Sequence, residues 1–119
     1  MSVQQPFLHP LADPLVEVIA QRFRVLAEPM RIKLLDRLRE GDATVGELRS
    51  ALGASQQNIS KHLGILNNAG MVTRTKDGNH ARYSIADQGV FELCEQVCGS
   101  VRRQVDELAA LLQPTSPAR

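Results

Sequence analysis

Three residues, Gly53-Ala54-Ser55, separate two helical patterns, and each pattern carries its own start signal. Thr44 and Glu47 have the spacing of a capping box, in which side chains and backbone at a helix start satisfy each other's orphan groups. That helix runs to about Leu52, where Gly53 stops it. Ser55 caps the next, from Gln56 to about Ala69, with Ile59, Leu63 and Leu66 on its inner side and Gly70 at its end. So short a connection, containing glycine, is that of a helix-turn-helix.

The period then changes from helical to alternating. Met71 to Lys76 reads as a strand, Asp77-Gly78 as a hairpin turn and Ala81 to Ile85 as a second strand. A β-hairpin directly after a helix-turn-helix is a wing. From Asp87 to about Leu112 follows one amphipathic helix, about 39 Å long at 1.5 Å per residue. Its stripe is Val90, Leu93, Cys94, Val97, Val101, Val105, Leu108 and Leu112. That is more apolar face than so small a core can use, and a partner chain is the expected cover.

Ahead of the helix-turn-helix, a helix starts near Pro14 with Asp13 as cap, turning Leu15, Val18, Ile19, Phe23 and Leu26 inward. Glu28-Pro29 interrupts it, because proline cannot donate to the preceding turn. Pro29 opens a second helix with Ile32, Leu35 and Leu38 inward and Gly41 after its end. The expected fold is mainly α with a small β-hairpin: a winged helix-turn-helix of five helices plus wing. Residues 1–13 read as an arm, 14–112 as the domain and 113–119 as a tail.

Composition narrows the function. Aromatic residues make up only 3% of 119, with no Trp, so an aromatic platform for stacking bases is not expected. No apolar run reaches the roughly 18 residues of a membrane span. The N-terminal stretch lacks the basic and apolar regions of a signal peptide. Two cysteines are too few for a disulfide scaffold, so a reducing, cytoplasmic setting is expected. Catalysis finds no support: no nucleophile has an adjacent base, no glycine-rich loop cradles phosphate, and no cofactor motif is present.

The helix after the turn carries the chemistry. With Ile59 and Leu63 inward, its other face offers Gln56, Gln57, Asn58, Ser60 and Lys61. Gln and Asn pair with adenine edges, Lys with guanine or phosphate, and Ser with either. Clustering in the first turn and a half suits a recognition helix entering the major groove. A solvated polar face would look the same in isolation, but the turn before it and the wing after it favour DNA. Charge agrees: Ser55 to Tyr83 carries a net +3, which leaves −2 for the remainder of a +1 chain. Arg74, Lys76, His80 and Arg82 place that excess on the hairpin, where phosphate contact is expected; charged gatekeeping of edge strands would use the same residues.

The run Phe23 to Leu35, the block Val45 to Leu48, the stretch Gln57 to Leu66, Ala69 to Val72 and Gly78 to Tyr83 together resemble the ArsR/SmtB family of bacterial winged-helix repressors. The resemblance covers about Leu15 to Leu112. It implies a homodimer through the first and last helices, a palindromic double-stranded DNA operator and release by an inducer that the sequence does not identify. Ser60, His62 and Leu63 match the family's recognition-helix pattern, in which the histidine is structural. His62 also falls beside Leu63 on the inner side, so packing is expected of it. Two metal sites known in the family find no match. The thiolate pattern of the third helix meets Arg49 and Ala51, and the last-helix pattern starts at Asp87 but then meets Gly89, Ser100 and Arg103. Asp87 is better read as a helix cap.

Cys94 and Cys98 are four apart, on one face of the last helix. Three readings stay open: packing, a thiol switch responding to oxidants or reactive sulfur, and a soft-metal site (Zn or Cu(I)) of four thiolates at a twofold axis. Sulfur-sensing relatives place one cysteine on the second helix, and Arg31 to Glu40 has none. No cation lies one turn from Cys94, and Arg102 is the one a turn beyond Cys98. Outside DNA binding, a winged helix used only for protein interaction would have an apolar recognition face and a neutral wing. A thiol oxidoreductase would need a C-x-x-C motif beside a βαβ unit.

Overall fold

A computed structural model describes residues 10–114. Five helices and three strands follow in the order α1 (Asp13–Leu26), α2 (Pro29–Leu38), β1 (Ala43–Thr44), α3 (Val45–Leu52), α4 (Gln56–Asn68), β2 (Val72–Asp77), β3 (His80–Ile85) and α5 (Gln88–Leu112). This is the winged helix-turn-helix with the elements the sequence predicts, plus β1. The arm expected over 1–13 lies largely outside the described residues, as does the tail beyond Pro114.

The local signals at α3 and α4 act as expected. Thr44 Oγ1 accepts from the Glu47 N–H at 3.1 Å, and Glu47 Oε1 accepts from the Thr44 N–H at 2.9 Å. Gly53 ends α3 at φ 64°, a left-handed conformation that glycine adopts without a Cβ penalty. Ser55 Oγ caps α4 by accepting from the Asn58 N–H at 3.1 Å. Asp87 caps α5 through the Gly89 N–H at 2.8 Å.

Around α4 lies the core: Leu34, Leu35 and Leu38 from α2, Leu48 from α3, Ile59, Leu63 and Leu66 from α4, with Ala43, Met71, Val72 and Val90. The sheet is antiparallel in the order β1-β3-β2, and its base closes the core through Val72 and Ala43.

Several expectations need correction. Asp13 does not cap α1; the N-cap is Ala12, with no side-chain bond, and Asp13 sits in the first turn with a proline beside it. In α1 Val25 is buried, whereas Val18 and Phe23 are exposed. In α2 Leu34 is buried and Ile32 exposed. Within one chain the expected stripes thus point partly away from the core. The hairpin turn is one residue later than predicted: Asp77 pairs with His80, so Gly78 and Asn79 form the connection. Positive φ at Gly78 alone matches the II′ pattern, which follows the right-handed twist of the strands. The strands and α5 accordingly run Val72–Asp77, His80–Ile85 and Gln88–Leu112. Strand β1 carried no sequence signal, being two residues whose pairing with β3 is entirely long-range.

Candidate nucleic-acid interface

The first turns of α4 present Gln56, Gln57, Ser60 and Lys61 to solvent, with Asn58 half-buried beside them. They are exposed because Ile59, His62, Leu63 and Leu66 take the inner side of the same helix. Exposed polar groups thus stand on a helix anchored by four buried residues.

His62 is packed, as expected, at 6% exposure. Its Nδ1 lies 3.1 Å from Arg31 Nη1 and 3.7 Å from Glu28 Oε1. Arg31 Nε donates to the Val25 carbonyl at 2.7 Å. Glu28 Oε1 caps α2 by accepting from the Arg31 N–H at 3.1 Å. Desolvation pushes the Glu28 carboxyl upward, but the Arg31 N–H, His62 and the Met30 N–H together outweigh it and hold the pKa below the ordinary value. Neither Glu28 nor Arg31 was legible as a partner of His62, because both sit more than thirty residues away in sequence.

On the wing, Arg74, Lys76 and His80 are exposed. The register divides the four predicted contacts between two faces. Arg74 pairs with Tyr83 and Lys76 with Ala81, while Arg82 pairs with Thr75 and His80 with Asp77. Directly paired residues share a face and successive residues alternate, so Arg74 and Lys76 lie opposite His80 and Arg82. Arg82 differs further. Its guanidinium is 3.5 Å from Asp42, 3.5 Å from Glu47 and 3.9 Å from Asp77. The Glu47 carboxyl is held below its ordinary pKa first by the Thr44 N–H, against desolvation, and then by the charge of Arg82.

The cysteines lie on α5. Cys94 is half-buried against the core and Cys98 exposed. The cation near them is neither on α5 nor predicted: Arg39, just past α2, places Nη1 3.7 Å from Cys98 Sγ and Nη2 3.4 Å from Glu95. It also pairs with Asp36 at 3.3 Å, and its guanidinium carbon lies 5.8 Å from the Phe91 ring centre. Burial pushes the Cys94 thiol above its ordinary pKa, and Arg39 offsets this only in part. Among the described residues no three His, Cys, Asp or Glu side chains gather to hold a metal, and no helix is long and apolar enough to cross a membrane.

Residues 28–74 match the family model described as bacterial regulatory protein, arsR family. The uncharacterized HTH-type transcriptional regulator Rv0081 of Mycobacterium tuberculosis is 38% identical over 103 residues, covering 86% of this chain and 90% of that one. Its crystal structure superposes with a TM-score of 0.74 over 82% of this chain and 99% of its own, at 37% identity. A probable mercury resistance operon repressor of Streptomyces lividans is 36% identical over 92 residues, 77% of this chain and 69% of its own. At 24% identity, a homodimeric winged helix-turn-helix DNA-binding domain from Mycobacterium bovis shares the fold, with a TM-score of 0.73 over 84% of this chain and 95% of its own.

Proposed function

This chain belongs to the arsR family of bacterial regulatory proteins, a family of transcriptional regulators rather than enzymes, and we propose that it is a homodimeric repressor acting in the cytoplasm on a palindromic operator. The observation that carries this reading is the exposed run Gln56, Gln57, Ser60 and Lys61 at the start of a helix locked from behind by Ile59, His62, Leu63 and Leu66. Gln56, Gln57, Asn58 and Ser60 read base edges, and Lys61 takes a base or the adjacent phosphate. Arg74, Lys76 and His80 hold the backbone from the wing.

The dimer forms through α1 and α5. Val18 and Phe23 on α1, and Val97, Val101, Val105 and Leu108 on α5, are each more than half exposed in the single chain. Two recognition helices must meet half-sites about 34 Å apart, so a small shift at this interface releases DNA. Cys94 and Cys98 are the proposed trigger: modification by an oxidant or by reactive sulfur alters α5 where Arg39 ties it to α2. A soft metal shared by four thiolates across the twofold axis is the second reading; it draws on the Streptomyces relative's name.

Fluorescence anisotropy of the reduced protein on its own upstream DNA tests both levels. Tight binding that is lost with a polysulfide donor supports repressor and switch together. Tight binding unaffected by that donor, by peroxide and by Zn or Cu(I) returns the cysteines to packing. No binding to any upstream duplex overturns the repressor.

A further inference from the structure

We infer that Arg82 is a positioning residue for DNA binding, one that sets the wing against the helix-turn-helix through the protein's own carboxylates instead of touching phosphate. The inference rests on the reading of α4 and the wing as the DNA surface. Three separate parts of the chain meet at this side chain. Nε faces Asp42 Oδ2 at 3.5 Å, Nη2 faces Glu47 Oε1 at 3.5 Å and donates to the Asp42 carbonyl at 3.4 Å, and Nη1 faces Asp77 Oδ2 at 3.9 Å. Glu47 is the carboxylate that closes the capping box on the Thr44 N–H. One guanidinium therefore joins the start of α3 to the last residue of β2 before the turn.

The register explains how this happens. Thr44, Thr75 and Arg82 lie across from one another on three strands, so Arg82 faces the capping box while Arg74 and Lys76 face away. A planar fork of five donors can bridge several carboxylates at once; a lysine ammonium is a point charge without that geometry. Single pairs at such exposure contribute little to stability, so what the network sets is the angle of the hairpin. A phosphate on Arg82 would have to displace carboxylates already in place.

The test uses the full chain and a duplex holding the site footprinted in its upstream DNA, titrated from 50 to 200 mM salt. Removing one phosphate interaction lowers the log–log salt slope by about 0.9. The variants are Arg82→Lys, Arg82→Gln and the pair Arg74→Ala/Lys76→Ala. A positioning role predicts that Arg82→Lys keeps its charge, yet binds about tenfold more weakly and drops as much slope as Arg74→Ala/Lys76→Ala. Added to that pair, it costs nothing further. Wild-type affinity and slope in Arg82→Lys, with the slope of Arg82→Gln reduced by about one phosphate's worth, would make Arg82 a phosphate ligand and overturn the inference. An equal loss with and without the pair would reduce it to a fold-stabilising residue. If Arg82→Lys does not fold, Asp42→Asn/Asp77→Asn replaces it, with reduced slope expected and unchanged or steeper slope overturning. Wild-type binding by Arg74→Ala/Lys76→Ala would instead sink the wing reading itself.

Discussion

Arg31 holds His62 with one nitrogen and the Val25 carbonyl with another, at 3.1 Å and 2.7 Å, and so ties the α1–α2 junction to α4. A buried imidazole on α4 is thereby satisfied from a segment far off in sequence. Removing the arginine leaves His62 Nδ1 without that partner, and an unpaired buried polar group costs about 1–3 kcal/mol. Arg31→Ala is expected to lower unfolding free energy by that amount in urea titrations. The double variant Arg31→Ala/His62→Ala should cost much less than the two single changes summed, because both act on one interaction.

Base reading and backbone holding separate by their signatures. Gln57→Ala should cost about 1–3 kcal/mol and relax preference at one operator position, with the salt slope unchanged. Lys76→Ala should weaken all sequences alike and flatten the slope by about 0.9. Anisotropy on the operator and on single-position variants of it measures both. Equal behaviour of the two variants would dissolve the division between helix and wing.

The apolar stripe on α5 makes a prediction about assembly. Val101 and Leu108 are 51% and 58% exposed in one chain, so a charge there costs little within the monomer. Val101→Asp/Leu108→Asp should sediment as a folded monomer and lose operator affinity by at least tenfold. A dimer that survives these changes would place the interface elsewhere.

The two thiols should react in order. Burial raises the Cys94 thiol above its ordinary pKa, which lowers its thiolate fraction near neutrality, and Cys98 is more open. Limited iodoacetamide treatment followed by peptide mass spectrometry should find Cys98 labelled first. Raising pH through the alkaline range should narrow the gap, as Cys94 ionises.

The capping box sets an acid limb. Glu47 has its folded pKa below the unfolded value, so its contribution is complete above the unfolded pKa, about 4.3, and is lost as pH falls through the folded one. The Tm difference between wild type and Glu47→Gln should be constant from pH 7 to about 5.5 and shrink below about 4.5. A difference that grows on acidification would contradict the assigned partners.

Where a helix starts or stops, and which side of it is polar, depends on neighbours within four residues. Thr44, Glu47, Gly53, Ser55, Gly78 and Asp87 made those features legible, and with them the helix-turn-helix, the wing and the polar face of α4. The same locality explains the misses. Periodicity identifies an apolar face without saying what covers it, so Val18, Phe23 and Ile32 read as core although they are exposed in one chain. Equally, a count of cations does not reveal their pairing. Only the register of β3 against β1 and β2 puts Arg82 among Asp42, Glu47 and Asp77, and only the packing of α2 beside α5 brings Arg39 to Cys98. Composition and spacing determined the scaffold and the polar face of α4 because those are short-range properties of the chain. The tertiary structure decided which charges are free and which are committed, because Coulomb and hydrogen-bond partners are chosen by distance in space.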